Sequence, residues 1–166
     1  SGAFPAAAGQ GGSGAELVTL DPPTRLDRAR MSLQQIVEPQ GGDVDITAAD
    51  LLVSVGRGIG SKDDLDTVQE LADALDAPLS ASRPVIDAGW MPKSRQVGKS
   101  GLKVKPKAYL AFGISGAPEH LEGMRDAELI VACNTDAAAP IFEVAHYGTT
   151  VDLFDLVPAI VEKLVG

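Results

Sequence analysis

Short apolar runs recur through the second part of the chain and are separated by segments with a helical pattern. Residues 51–55, 108–113 and 128–133 are the length of strands and almost wholly apolar, which is typical of strands buried on both faces. Shorter runs at residues 78–82 and 149–151 are predicted to add two further strands. Because buried strands that alternate with helices pair in parallel, the pattern predicts an α/β fold. Its sheet would be doubly wound and mainly parallel, with helices on both faces.

Two helices are predicted where apolar residues repeat about every 3.6 positions and therefore share one side. The first helix has on that side Leu65, Val68, Leu71, Ala72 and Leu75. The last helix has there Leu153, Leu156, Val157, Ile160, Val161 and Leu164. Ser61, three residues before Asp64, resembles the N-cap of the first helix. Residues 118–124 are predicted to be a short helix, and residues 83–107 a long loop of the kind that usually carries function.

One compact domain is predicted, preceded by less regular sequence. Residues 1–14 are rich in glycine and alanine and are interpreted as a flexible linker. Residues 15–49 are predicted to be a connecting segment with short strands, one of them at residues 16–20. Residues 50–166 hold the buried-strand and helix patterns and are predicted to be the folded domain.

Charge and composition exclude several classes of function. A net charge of −9 over 166 residues argues against nucleic acid and anionic membranes as partners, because both require a basic surface. The sequence has no run of about 18 apolar residues, so we expect no direct membrane insertion. The single cysteine, Cys133, excludes an intrachain disulfide and a thiolate zinc site, and it is predicted to be a buried apolar side chain.

Two loops rich in glycine and hydroxyl groups are the strongest candidates for binding chemistry. Residues 96–101 (QVGKSG) and 113–120 (GISGAPEH) offer backbone N–H groups, hydroxyls, an ammonium and an imidazole. Such a set suits a polar, anionic, nucleotide-like ligand, although neither loop matches a common phosphate-binding pattern. Ligands of doubly wound sheets bind at the carboxyl ends of the strands, where the second loop is predicted to lie. From the residues alone, the identity of the nucleotide stays open.

Five collinear segments carry a resemblance to a known family. They are 55–58 (VGRG), 81–90 (ASRPVIDAGW), 96–98 (QVG), 113–120 (GISGAPEH) and 134–142 (NTDAAAPIF). Together they resemble the C-terminal FAD-binding domain of the electron transfer flavoprotein α subunit, over about residues 45–166. Residues 1–5 resemble the end of that subunit's N-terminal domain, most of which would then be absent from this chain.

The resemblance implies a Rossmann-like domain that binds FAD in an electron carrier, not an enzyme with a substrate reaction of its own. Such a carrier pairs with an electron transfer flavoprotein β subunit. It receives electrons from acyl-CoA or other dehydrogenases and passes them, through the flavin semiquinone and hydroquinone, to a quinone-reducing or other redox acceptor. The scarcity of thiols and the lack of a targeting pattern favour a bacterial or archaeal cytoplasm, with the mitochondrial matrix as the alternative.

Several residues match those that the family places at the flavin ring. Arg83 would lie over the ring and favour reduced flavin, Ser100 would contact N5 in place of a threonine, and His120 would contact the pyrimidine edge. A surface ion pair is the alternative for Arg83, and a structural role is the alternative for His120. Lys99 replaces the family's glutamine and would either add a cation near the ring or point to solvent.

Other residues either differ from those usual in the family or match residues that bind the diphosphate and adenosine parts of FAD. Glu119, which replaces a glutamine, would offset the lysine or raise the pKa of the neighbouring histidine, and His146 is interpreted as surface variation. Arg57 and the N–H groups of residues 115–117 match the diphosphate site. Asn134 and Asp152 match the residues that hold the adenosine half, and Asp152 also suits a helix N-cap. The full set of cofactor-binding residues that the resemblance predicts is Arg57, Ser82, Arg83, Gln96, Val97, Gly98, Lys99, Ser100, Gly101, Ser115, Gly116, Ala117, Pro118, Glu119, His120, Asn134, Asp152 and Leu153.

Two other classes of function remain as alternatives at this point. One is a module of the same fold that binds NAD or AMP without redox chemistry. The other is a regulatory domain that has lost its cofactor. No metal site is predicted.

Overall fold

The computed structural model describes residues 18–19 and 44–166, and all the regular secondary structure that it describes lies within the unit Gln40–Gly166. The linker predicted for residues 1–14 lies outside the described residues. So does most of the connecting segment, including nearly all of its strand at residues 16–20. The fold is therefore described from residue 44 onward.

Within residues 44–166, five parallel strands form one sheet in the order β2-β1-β3-β4-β5. The strands are β1 (Leu51–Val55), β2 (Leu79–Ala81), β3 (Ala108–Phe112), β4 (Leu129–Cys133) and β5 (Tyr147–Thr149). The predicted doubly wound, parallel α/β sheet is confirmed. The last strand was predicted at residues 149–151, which is wrong by two residues. From β1 the chain first adds β2 on one side and then crosses over to add β3 on the other side. The sheet therefore has its switch point between β1 and β3.

The described helices are α1 (Leu65–Ala74), α2 (Arg83–Asp87), α3 (Pro118–Met124) and α4 (Leu153–Val165). The prediction of a long loop at residues 83–107 is wrong in part, because α2 and a 3-10 turn at Lys93–Arg95 lie within it. Ser61 is not the N-cap of α1. That position is Asp64, whose carboxylate accepts hydrogen bonds from the Ser61 N–H at 3.0 Å and hydroxyl at 2.7 Å.

Helices cover both faces of the sheet because alternate strand residues point to opposite sides. On one side, Val53 and Val55 of β1 belong to the same buried cluster as Val68 of α1 and residues of α4. On the other side, Leu52 shares a buried cluster with Met124 of α3. Cys133 is 3% exposed and belongs to the first cluster, as predicted. The sheet thus holds the carboxyl ends of its strands at one rigid edge.

His146, interpreted from the sequence as surface variation, has a structural role next to the edge strand β5. Its backbone N–H donates to the carbonyl of Ile130 at 2.9 Å, and its Nδ1 accepts from the N–H of Ile130 at 2.9 Å. The side chain therefore completes the pairing of β4 just before β5 begins. Among the described residues, no helix combines the length and the apolar composition that crossing a membrane requires.

Candidate functional site

A cavity of about 700 Å³ opens at the carboxyl ends of the first four strands. Its walls come from the residues that directly follow each strand, including Gly56 after β1, Ser82 after β2, Gly113 after β3 and Asn134 after β4. The second predicted loop, residues 113–120, follows β3 at this edge of the sheet, as expected. The cavity spans the switch point between β1 and β3, where parallel sheets of this order bind their ligands.

The floor of the cavity is a contact between two glycine loops. The N–H of Gly58 donates to the carbonyl of Gly113 at 3.0 Å, and the N–H of Gly56 donates to the carbonyl of Phe112 at 2.9 Å. A Cβ atom on Gly56 would overlap the Gly113 carbonyl oxygen and lie 2.7 Å from the Cα of Ile114. Gly113 itself has a φ of 63°, which favours glycine. The two loops can therefore approach this closely only with glycine at these positions.

The first predicted loop is held by a buried glutamine. Gln96 is 1% exposed, accepts a hydrogen bond from the Lys93 ammonium at 2.9 Å and donates from Nε2 to the Ser100 Oγ at 2.9 Å. Because the Ser100 oxygen already accepts one hydrogen bond, its own proton is free to be donated into the cavity. The loop thus presents a hydroxyl donor whose oxygen is fixed from behind.

The second loop presents unused backbone donors at the start of α3. The N–H groups of Ser115, Gly116 and Ala117 donate no hydrogen bond within the described part of the chain, whereas the N–H of His120 donates to the carbonyl of Ala117 at 2.9 Å. Gly116 has a φ of 86°, and its Cβ would overlap the backbone nitrogen of Ile141. Successive free N–H groups in such a turn suit an anion.

Three cations line the cavity, and they differ in how far they are neutralised. The Arg83 Nε lies 3.2 Å from the Asp87 carboxylate, and the Lys99 ammonium lies 3.8 Å from that of Glu122. Arg57 has no ion pair with any residue that the structure describes. The surface ion pair considered for Arg83 is present, although Arg83 also lines the cavity. Arg57 is the cation most available to a ligand.

His120 lines the cavity and is only 6% exposed. Its Nε2 lies 3.0 Å from the Tyr109 hydroxyl, while its Nδ1 has no hydrogen-bond partner among the described residues. Burial lowers the pKa of His120 to about 4, and the Val97 carbonyl opposes this as the smaller effect. The expectation that Glu119 would raise the pKa of this histidine is wrong, because desolvation of the ring dominates.

We expect His120 to make the stability of the protein depend on pH. Its folded pKa of about 4 lies below the ordinary 6.5, so the unfolded chain binds a proton first as the pH falls. This contribution to stability is complete above about pH 6.5 and is lost progressively toward pH 4. Between pH 7 and pH 5 it should remove about 2 kcal/mol from the free energy of unfolding.

Urea unfolding of the wild type and of His120→Gln at both pH values measures this contribution. The variant should lose less stability than the wild type by about that amount. Equal losses in the two proteins would contradict a buried, neutral imidazole. The comparison between the two proteins cancels the carboxylates that titrate in both.

Asn134 holds the far end of the cavity in a fixed shape. Its Nδ2 donates to the carbonyl of Ile114 at 2.9 Å, and its Oδ1 accepts from the N–H of Asp136 at 2.9 Å. Asp136 in turn accepts from the N–H of Ala138 at 2.9 Å. The amide therefore joins the loop after β4 to the loop after β3, so that both present their backbone to one ligand.

The structure brings most of the sequence-predicted site residues together on this cavity. They are Arg57, Ser82, Arg83, Gln96, Val97, Gly98, Lys99, Ser100, Ser115, Gly116, Ala117, Glu119, His120 and Asn134. Four lie elsewhere: Gly101 closes the turn behind Ser100, Pro118 begins α3, Asp152 caps α4 and Leu153 packs in the core.

Sequence reasoning missed other lining residues. These are Gly56, Gly58, Pro84, Asp87, Gly113, Ile114, Asp136, Ala139 and Pro140. Most of them neighbour predicted residues within the same segments, so extending each segment to its whole turn would have found them. Asp87 lies in segment 81–90 as well, on α2, the helix that the sequence did not predict.

The donor set fits a large anionic dinucleotide such as FAD. The cavity combines an unpartnered and buried imidazole nitrogen, three free N–H groups in one turn and an arginine without an ion pair among the described residues. The hydroxyls of Ser82 and Ser115 also make no hydrogen bond to the described residues. Apart from the imidazole nitrogen, whose role depends on its tautomer, these groups are donors or cations, and a ligand rich in phosphate, hydroxyl and carbonyl oxygens would satisfy them.

Comparison with known proteins gives a consistent result. Residues 45–125 match the family model described as the electron transfer flavoprotein FAD-binding domain. The chain is 46% identical over 148 residues to the electron transfer flavoprotein subunit alpha of Methylophilus methylotrophus, covering 87% of this chain and 46% of that one. It is 50% identical over 121 residues to the protein of that name from Pseudomonas aeruginosa, covering 73% and 39%.

A relative with a different name is similar to the same degree. The acryloyl-CoA reductase electron transfer subunit beta of Anaerotignum propionicum is 50% identical over 125 residues, covering 73% of this chain and 34% of the relative. The chain spans less than half the length of each of these three relatives. The similarity therefore concerns the region that contains the cavity.

Proposed function

The chain belongs to the electron transfer flavoprotein α-subunit family, and on this basis we propose that its cavity binds FAD for electron transfer. One observation carries the proposal beyond the family: unsatisfied donors and a cation without an ion pair among the described residues share one cavity at the switch point. Donors and a positive charge that line one cavity without protein partners suit a ligand with many acceptor oxygens.

Different residues would bind the diphosphate and the adenosine half of FAD, according to their chemistry. Arg57 and the free N–H groups of residues 115–117 would hold the diphosphate, because both offer donors to anionic oxygens. Asn134 would hold the loops around the adenosine half. Asp152 and Leu153 would act there only through the position of the α4 start, since Asp152 caps the helix and Leu153 is buried in the core.

The flavin ring of FAD would lie between the two predicted loops, residues 96–101 and 113–120. Ser100 would donate its hydroxyl proton toward the ring, Arg83 would provide a cation beside it, and His120 would provide a neutral imidazole. Lys99 is more than half exposed and paired with Glu122, so its influence would be weakened by solvent. FAD, when bound, supplies the capacity to take up electron pairs and release single electrons. The chain supplies orientation and exclusion of water.

The wider assembly follows from the relatives' names and remains part of the proposal. The relatives are named as subunits, so we propose that this chain pairs with a second, β-type subunit. Acyl-CoA or other dehydrogenases would donate electrons, and a quinone-reducing or other redox acceptor would receive them. The relatives include bacterial proteins and others named as mitochondrial, and the cytoplasm or the mitochondrial matrix would be the corresponding location.

Binding of FAD to the purified protein tests the proposal. We expect the protein mixed with FAD and desalted to be yellow, with a flavin absorption band that dithionite bleaches. NAD and AMP serve as competitors, because a module that binds nucleotides without redox chemistry would prefer one of them. Retention of AMP or NAD in place of FAD, or a colourless protein in the presence of its partner subunit, would overturn the proposal.

A further inference from the structure

A chain of buried hydroxyl groups leads from the cavity into the sheet. The Tyr109 hydroxyl lies 2.7 Å from the Ser54 Oγ and 3.0 Å from the His120 Nε2. Ser54 and Tyr109 are 0% exposed and His120 is 6% exposed. Ser54 belongs to β1 and Tyr109 to β3, the two strands at the switch point. The chain Ser54–Tyr109–His120 therefore connects the centre of the sheet to a residue that lines the cavity.

The available protons and acceptors decide which group donates in each hydrogen bond between Ser54, Tyr109 and His120. Tyr109 is the one side-chain partner of the Ser54 hydroxyl among the described residues, so the Ser54 proton has no other side chain to go to. The neighbouring Ser80 hydroxyl donates to the carbonyl of Val53 at 3.3 Å and also interacts with the Tyr109 hydroxyl. If Tyr109 donated to Ser54, the Ser54 proton would be buried without an acceptor, at a cost of about 1–3 kcal/mol.

The hydroxyl protons of Ser54 and Tyr109 both find an acceptor only if the hydrogen bonds are donated in the direction from the sheet toward the cavity. In this arrangement Ser54 would donate to Tyr109, in place of the reverse bond considered above, and Tyr109 would donate to the Nε2 of His120. Burial raises the pKa of Tyr109, so its hydroxyl keeps the proton that this arrangement needs. A neutral imidazole that accepts at Nε2 carries its proton at Nδ1. Nδ1 is the remaining polar atom of His120, and no described residue partners it with hydrogen-bond geometry. The Val97 carbonyl acts on the ring in the same sense, since it favours a protonated ring nitrogen.

We propose that Ser54 and Tyr109 are positioning residues that hold His120 in its Nδ1–H form, so that the cavity receives one neutral N–H donor at a fixed place. The ligand class follows from this donor: it must bring an acceptor atom, such as a carbonyl oxygen or an unprotonated ring nitrogen, to that place. That the acceptor belongs to a flavin rests on the proposed function. The proton position itself is a property of the protein alone.

The second histidine of the chain provides an internal reference. The Nδ1 of His146 accepts from the N–H of Ile130 at 2.9 Å, so a neutral His146 carries its proton at Nε2. The chain contains only two histidines. The proposal therefore requires one histidine of each tautomer in the same protein.

Nitrogen-15 NMR of the imidazole rings in the FAD-free protein at neutral pH tests the proposal. We expect an Nδ1–H pattern for His120 and an Nε2–H pattern for His146. In Tyr109→Phe, His120 should lose its single tautomer and show averaged ring shifts. Tyr147→Phe is the matched control, since it changes the only other tyrosine, which is 69% exposed, and both patterns should stay unchanged.

An Nε2–H pattern for His120 in the wild type would overturn the proposal, even if Tyr109→Phe failed to fold. So would an unaltered His120 pattern in a folded Tyr109→Phe protein. A second readout is affinity: Tyr109→Phe should bind FAD about tenfold more weakly, and Tyr147→Phe as the wild type does. Failure of the wild type itself to bind FAD would contradict the proposed function and leave the NMR result valid.

Discussion

Gly56→Ala should lower the free energy of unfolding by about 3 kcal/mol or more, because the new methyl group meets only backbone atoms. The added Cβ would overlap the Gly113 carbonyl oxygen and lie 2.7 Å from both the Gly113 carbonyl carbon and the Ile114 Cα. A flexible side chain could rotate away, but these atoms are held by the bonds that join the two loops. Relief would require β1 and β3 to separate at their carboxyl ends, which is where the cavity opens.

Gly89→Ala is the matched control for this variant. Gly56 has a φ of −108°, which any residue adopts, so its need for glycine is purely steric. Gly89 has the opposite character: its φ is 72°, and nothing lies within 4 Å of an added Cβ. We expect Gly89→Ala to lose only about 1 kcal/mol, from backbone strain. Chemical denaturation of both variants measures the difference, and similar losses would show that the loops can move apart freely.

The strands that the sequence predicted well are those whose own side chains are buried. β1, β3 and β4 are almost wholly apolar and lie between two helical layers, so burial on both faces is visible in composition alone. β5 has no such signal, since Tyr147 is 69% exposed. It is a strand because it pairs with β4, with Tyr147 opposite Val131. Pairing between segments distant in sequence is not encoded in a local pattern.

The same distinction applies to the site. The loops at residues 96–101 and 113–120 were predicted because glycine, hydroxyl and imidazole groups stand close together in sequence. Ser54 and Tyr109 were not, since each occupies a strand that is otherwise apolar and they are 55 residues apart. Only the register of β1 against β3 places their hydroxyls in contact. Polar groups that work through a cross-strand neighbour are therefore the part of a site that sequence reasoning misses.

Arg57→Gln should weaken the binding of FAD about 30-fold, the largest effect we expect from a single side chain on the cavity wall. Among the cations that line the cavity, Arg57 alone has no carboxylate partner among the described residues, so none of its charge is already used. Its loop follows β1 at the switch point and lines the same cavity as residues 115–117, whose N–H groups donate to no described residue. A guanidinium there should contact phosphate oxygens, and glutamine keeps a donor but loses the charge.

Titration with FAD and with riboflavin, which lacks the phosphates, separates this role from a general loss of binding. Arg57→Gln should leave riboflavin binding unchanged and should also flatten the decrease of FAD affinity with salt, because screening acts on the charge that it removes. Arg83→Gln is the control: its guanidinium lies 3.2 Å from the Asp87 carboxylate, so its loss should reduce FAD affinity only about threefold. Equal weakening of both ligands by Arg57→Gln would place Arg57 beside the ring and leave the diphosphate to the backbone N–H groups alone.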